Sequence, residues 1–355
     1  MTRRIAVPAL VICVGAVLAV SCARQERGSS NPQVRTRVLA IGDLSWPDVE
    51  ALDRNRTMFL LTIGMLEEHG PHLPIASDTF GVEYEARGVA ERMSQSLPDW
   101  NVVAMPTLHY GSSGANQIGN VAVHPGTYGL RQSTLRAIVA DIGGQIAQNG
   151  FKWIFVMNGH GAPTHHIAVN DACDFVTETF KATMVNVSGL FNADASIQAK
   201  GEAIAAKYFT ATELSSFGRD LHGGVAETSA VLAVRPDLVR ASYKSLPSYA
   251  VGSLSETREV ARKPGWPGYF SAPARASADY GRDVEAWWVE GMSDLILQGV
   301  RGDLLGRPRW PFPITNDPAY PGVEAAILQP EREFEVRLET WLRQRKDKGA
   351  NGRAR

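Results

Sequence analysis

Two rhythms of apolar residues divide most of the chain. Residues 58–63, 101–105, 153–157 and 183–187 are short, largely apolar runs of strand length, stopped by glycine, proline or polar residues. Between them, residues 79–93, 130–148, 164–179, 198–209 and 225–234 repeat their apolar positions every three or four residues, as amphipathic helices do. The stretch 130–148 is representative. Leu135, Ile138, Ile142 and Ile146 fall on one face, and Asn149-Gly150 ends it. Strand followed by helix at this spacing predicts parallel crossovers and an α/β fold, a three-layer α/β/α sandwich with a mostly parallel sheet. Leu44 to Leu52 opens the domain, 240–270 is loop-rich, and 274–298 reads as one long helix.

The ends of the chain break this rhythm. Thr2-Arg3-Arg4 precedes an apolar segment, Ile5 to Val20, and small residues lead into Cys22. A basic start, an apolar centre and a small-residue exit predict a secretory signal over residues 1–21, with a short membrane anchor as the competing reading. Ser21-Cys22 resembles a bacterial lipobox, which places the protein in the periplasm or, through a lipid on Cys22, on a membrane. Residues 22–37 are polar and read as a tether; 38–305 form the domain. Residues 306–355 are an extension, Pro-rich and then helical over 330–344.

Composition narrows the class. The chain has 355 residues, 44% of them hydrophobic, and a formal net charge of −1. That is enough for a full core, and it offers no global attraction to nucleic acid or to an anionic membrane. Of three cysteines, Cys13 lies in the signal, which leaves Cys22 and Cys173 and no disulfide framework. Cys173, in a helical stretch, reads as a buried small residue.

Candidate chemistry lies just past the strands. After the run 58–63 and Gly64 come Glu67, Glu68, His69, His72 and Asp78, interrupted by Gly70, Pro71 and Pro74, a pattern that predicts an irregular loop. The run 153–157 is followed at once by Asn158-Gly159-His160-Gly161. A third group is His222-Gly223-Gly224-Val225-Ala226-Glu227, at the start of a helix. Ligands of open α/β sheets bind outside such strand ends. Carboxylates and imidazoles together suit Zn²⁺ or Mn²⁺, with Fe as a further candidate. No G-x-S-x-G elbow, phosphate-cradling loop or reactive cysteine motif competes with a metal site.

The segment Glu67-Glu68-His69-Gly70-Pro71-His72-Leu73-Pro74, with Asp78 following, resembles the metal-binding segment of the creatininase (creatinine amidohydrolase) family. Asn158-Gly159-His160 and His222 to Ser229 fit the same resemblance, as does the Gly/Pro segment 265–273. It implies a dinuclear site in which Asp78 bridges, Glu67 and His160 hold one ion, and His69 and Glu227 hold the other. It implies His222 as the acid/base group, and Tyr110, Ser112, Ser113 and Gly161 as substrate-binding positions. It also implies a homo-oligomer, a ring-like hexamer. Glu68 is read as standing behind the ligands or facing solvent, and His72 as bracing the loop by hydrogen bonding; neither is read as a ligand.

Two residues depart from creatininase itself. Ala162 stands where it has a Glu, and Gly218 where it has a Trp four residues before the active-site His. The resemblance therefore points to a reaction class, hydrolysis of a C–N bond in a small amide, cyclic amide or formamide by a metal-activated water. A metallopeptidase-like activity on a short peptide and a non-catalytic binding lipoprotein of the same fold are the alternatives.

Overall fold

The structure is a computed structural model that describes residues 38–114, 124–311 and 320–352. The signal, tether and lipid readings on residues 1–37 lie outside the described residues.

Five strands form one sheet: β1 Val38–Ala40, β2 Thr57–Ile63, β3 Asn101–Ala104, β4 Trp153–Asn158 and β5 Thr183–Asn186. The order is β1-β3-β2-β4-β5, and every pairing is parallel. The edge strand β1 escapes the periodicity argument because three half-exposed residues carry too short a pattern to detect.

The alternation along each inner strand shows why both faces are covered. Phe59, Leu61 and Ile63 of β2, Ile154 and Val156 of β4, and Met184 of β5 enter one core. Met58 and Leu60, Phe155 and Met157, and Val185 enter the other. Successive side chains point to opposite faces, so a continuous apolar run is what a strand buried on both sides requires. The first core is closed by α3 (Gln132–Gln148) and α4 (Pro163–Phe180). The second is closed by α2 (Ser77–Ser96), α5 (Val187–Ala193) and α10 (Ala278–Gly299). The three-layer sandwich is thus in place.

The topology selects where a site can form. The chain leaves β2 through α2 on one face and β4 through α4 on the other, although β2 and β4 are neighbours. Diverging connections open a crevice at the carboxyl ends of that strand pair.

Local differences from the sequence reading have local causes. Asp78, expected on a loop, lies in the first turn of α2. The run 183–187 ends one residue early, because Asn186 caps α5 by accepting the Gly189 N–H. Helices α6 (Ala195–Tyr208) and α7 (Ala211–Phe217) divide at Thr210, whose hydroxyl and Glu213 form a capping box. The helix of residues 274–298 begins only at Ala278, after a short 3-10 turn, Pro273–Arg275. In the loop-rich region, α9 (Leu254–Ala261) is a short helix capped by Ser253. The final helix, α11, runs Tyr320–Gly352 and carries Pro330 inside it.

The extension is docked onto the domain. Arg307 pairs with Asp194 (2.7 Å) and Arg309 with Asp174 (2.6 Å). On α11, Glu331 accepts the Gln132 N–H at 2.7 Å, capping a helix that has no side-chain cap of its own, and Glu335 pairs with Arg131.

Helices α2 and α10 bury a carboxyl pair between them, Glu85 and Glu285, 6% and 2% exposed. Burial pushes Glu85 up to about 8; burial and then the neighbouring Glu85 hold Glu285 well above the carboxylate range. Both folded-state values lie above those of the unfolded chain. The stability they confer is therefore present below about pH 4.5 and is lost as pH rises through about 8. Glu285→Gln should gain stability relative to the parent at pH 8, with a smaller difference at pH 5. Urea unfolding at the two pH values checks this, and an equal difference at both would rule it out.

Candidate metal centre and active site

All six sequence-predicted ligand and acid/base residues meet at the β2/β4 crevice. Glu67 and His69 follow β2, Asp78 starts α2, His160 follows β4, and His222 and Glu227 flank the start of α8 (Val225–Val234). Their approach depends on Gly159. A Cβ there would stand 2.2 Å from the Asp78 carbonyl oxygen, so only glycine lets the turn after β4 lie against α2.

The donor atoms form two groups that share one residue. Glu67, Asp78 and His160 offer one group; His69, Asp78 and Glu227 offer the second; within each, the atoms lie inside 4.8 Å of one another. His160 Nδ1 is 2.9 Å from Glu67 Oε2 and 3.1 Å from Asp78 Oδ2. His69 Nε2 is 3.1 Å from Asp78 Oδ1 and 3.6 Å from Glu227 Oε2. These two groups contain the residues that the sequence resemblance pairs, and a third group, Glu67, His69 and His222, overlaps both.

The far sides of the two imidazoles test whether cations fit. His69 Nδ1 lies 3.0 Å from the Glu67 carbonyl, and His160 Nε2 lies 3.2 Å from the Ser113 carbonyl. A carbonyl can only accept, so each of these nitrogens carries the hydrogen. A neutral ring then presents its lone pair to two carboxylates. That arrangement is repulsive unless a cation or a second proton stands between them, and it is how metal-binding histidines are commonly oriented. The buried donor set fits a pair of divalent ions.

The electrostatics agree. Burial opposes charge at Asp78, but His69 and His160 outweigh it and hold the carboxyl far below its ordinary range. Glu67 is lowered against its own burial by His160 and His222. Burial opposes the proton on His69 and His160, yet the facing carboxylates raise both well above an ordinary histidine. These are the signs of a site built to balance positive charge.

His222 stands apart. Its ring packs 4.3 Å from that of His69, and its Nδ1 is 3.6 Å from Glu67 Oε1. Burial, then His69, lower its pKa to about 4, so it is a neutral imidazole beside the ligands. It could also complete a donor group with Glu67 and His69.

The supporting shell is polar and buried. His72 bonds Thr228 Oγ1 through Nε2 at 2.9 Å, tying the first ligand loop to the helix of Glu227. Glu68 accepts the Gly70 N–H (3.0 Å) inside its own loop. His165 accepts the Ser112 N–H and donates from Nε2 to Asn158 Oδ1, both at 3.2 Å; Asn158 in turn donates to Asn186. Burial, then His160 and His166, hold His165 well below its usual pKa. His166 is also buried.

The four predicted substrate-binding residues are placed differently from one another. Ser113, at φ 64°, turns its carbonyl onto His160, and Ser112 orients His165. Tyr110 is exposed. Gly161 gives its carbonyl to the indole N–H of Trp310 at 3.1 Å, so the extension braces the turn that carries His160. None of the four lines the cavity of about 650 Å³ that reaches the ligands; Asp78, Gly218, Asp220 and Glu227 do. Glu227 is also the most open of the five ligands, with 40% of its side chain exposed against 8% or less for the others.

Gly218 shows why a large side chain is missing from that wall. It sits at φ 66°, and a Cβ would come within 2.6 Å of the Val251 backbone. The requirement for glycine here was not visible in the sequence, because residue 251 is remote along the chain.

Comparison with known proteins follows the same geometry. A family model described as Creatininase: Creatinine amidohydrolase matches residues 42–296. Creatinine amidohydrolase of Pseudomonas putida is 28% identical over 271 residues, 73% of this chain and 96% of its own length. A mycofactocin precursor peptide peptidase of Mycobacterium ulcerans (strain Agy99) is 28% identical over 286 residues, 77% of this chain and 97% of its own. A manganese creatininase structure superposes with TM-score 0.54 at 25% identity, over 74% of this chain and 99% of that one.

Metal binding to the folded state should stabilise it. Zn²⁺ or Mn²⁺ added to chelator-stripped protein should raise Tm, by about 2.7 kcal/mol of stability at free metal 100 times Kd. Asp78→Asn, which removes the shared carboxylate, should abolish the rise in a thermal shift measurement. An undiminished rise in that variant would place the ion elsewhere.

Proposed function

The chain belongs to the creatininase family, and on that premise we propose that it is a two-metal hydrolase that opens a C–N bond in a small amide, cyclic amide or formamide. Its relatives are hydrolases of C–N bonds; the number of ions, the substrate and the residue roles are the proposal. The observation that carries it is the pair of carbonyl-anchored histidines, His69 and His160, aiming their free nitrogens at the shared Asp78.

Glu67 and His160 would hold one divalent ion and His69 and Glu227 the other, with Asp78 between them. Such a pair, Zn²⁺ or Mn²⁺ as in the creatininase structures, would polarise a carbonyl and lower the pKa of a water toward neutrality. The chain's own residues do the rest. Glu227, on the exposed side of the cluster, faces the cavity from which an amide can approach. His222, a buried neutral imidazole beside Glu67, would take the proton of the attacking water and return it to the leaving nitrogen. The backbone carbonyls of Glu67 and Ser113 keep the two ligand imidazoles from turning as charge develops.

A short peptide is the second substrate class. The peptidase relatives support it, and so does a cavity of about 650 Å³, of a size that admits ligands well beyond a single lactam ring. The amino-terminal pattern supports export to the periplasm, with or without a lipid on Cys22.

Elemental analysis of the purified protein tests the centre. About two Zn or Mn per chain are expected, falling to about one in Glu227→Ala. Lactams, formamides and short peptides are then screened as substrates. His222→Ala should keep both ions and lose on the order of 100-fold or more in kcat. A parent protein that holds no metal after anaerobic reloading would overturn the mechanism in favour of a binding protein.

A further inference from the structure

The cavity at the candidate metal centre carries acidic groups and no basic ones. Its wall carries Asp78, Glu85, Glu202, Asp220, Glu227 and Glu285, and among the described residues that line it there is no Lys, Arg or His. Asp78 and Glu227 belong to the ligand cluster. The other end of interest is the pair Glu85 and Glu285.

Glu85 lies seven residues along α2 from Asp78, which is two turns of helix and about 10 Å. Glu285 reaches α2 from α10: its Oε1 would lie 3.9 Å from a Cβ on Gly81, one turn before Glu85, and both carboxyls line the same cavity. Both are more than nine-tenths buried, and the Oε2 atom of each has no hydrogen-bond partner among the described residues. Buried polar atoms are almost always paired, and two such carboxyls side by side are costly to keep in an apolar interface. Tyr280 and Trp287 line the same cavity with aromatic surface, which attracts cations as carboxylates do. The unsatisfied oxygens, the absence of any basic group from the described lining and the aromatic surface all call for a positively charged guest.

We propose that the Glu85–Glu285 pair is a binding subsite for the cationic end, ammonium or guanidinium, of the molecule whose amide is presented to the metal centre. The ligand class is then a basic amide whose charge stands about 10 Å from the ligand cluster, the span from Asp78 to Glu85 along α2. A lysine- or arginine-like chain, or an amine-terminated amide, has that reach. The assignment of the amide end rests on the hydrolase reading above. The cation subsite itself rests on the cavity.

Titration calorimetry on the full metal-loaded chain tests the subsite without turnover. Methylguanidinium chloride is the probe and methylurea, its neutral analogue, the control. The parent protein should bind methylguanidinium at least ten-fold more tightly than methylurea. Glu85→Gln and Glu285→Gln, singly and together, should remove that preference. Equal affinity for the two probes, no binding of methylguanidinium, or binding unchanged in the double variant would each overturn the proposal. The parent titrations decide by themselves where a variant does not fold. Matched basic and neutral amides then separate the two readings. Glutamate-dependent binding with no hydrolysis of any amide leaves the subsite standing and removes the hydrolase. Hydrolysis with equal kcat/KM for both amides and no methylguanidinium binding removes the subsite alone.

Discussion

Asp78 sits between two imidazoles at the first turn of a helix, and the centre depends on that placement. Its two oxygens lie 3.1 Å from His69 Nε2 and 3.1 Å from His160 Nδ1, so one carboxylate joins ligands from two strand ends. Burying that charge is costly unless opposite charge and oriented dipoles surround it. The helix start supplies part of the dipole field, and the histidines supply the facing nitrogens. Gly159 permits the approach, because any side chain there would strike the Asp78 carbonyl.

The sheet provides the crevice and the loops provide the chemistry. Neighbouring strands β2 and β4 send their helices to opposite faces, so their carboxyl ends splay apart where Glu67, His69 and His160 emerge. The histidines are then locked from behind by elements far away in sequence. Ser113 fixes His160, while Thr228 fixes the loop of His69 through His72. The extension joins this shell through Trp310 on Gly161, although it lies beyond the residues shared with the family. The candidate metal site is thereby built on backbone contacts from several elements rather than on side-chain packing alone.

Charge is distributed with a direction. The candidate ligands on the sheet side are closed off, and Glu227 opens onto a cavity whose lining holds further carboxyls and, among the described residues, no basic one. Gly218 keeps that entrance wide for a backbone reason, its left-handed conformation against Val251. Carboxyls thus stand at both ends of one cavity, Asp78 and Glu227 at the candidate metal cluster and Glu85 and Glu285 at the far wall.

Periodicity along the chain determined the inner strands, the main helices and the layered α/β class, because strands buried on both faces and amphipathic helices each impose their own rhythm. Local spacing of Glu, His and Asp after apolar runs, with the resemblance it carries, singled out Glu67, His69, Asp78, His160, His222 and Glu227, which the fold brings together. Tertiary structure alone decided the rest. The three-residue strand β1 and the cap-divided helices α5, α6 and α7 carry too little pattern, or are divided by hydrogen bonds that spacing does not reveal. Asp78 proved helical because the chain after Pro74 turns into α2 sooner than its glycines and prolines imply. The cavity wall was the least legible part: Glu85 and Glu285 look ordinary in sequence and become distinctive only when α2, α8 and α10 close around one cavity, and the backbone that demands glycine at 218 belongs to the remote Val251. A residue's burial and its neighbours across the fold are set by packing, and no local spacing encodes which distant carboxyl will face it.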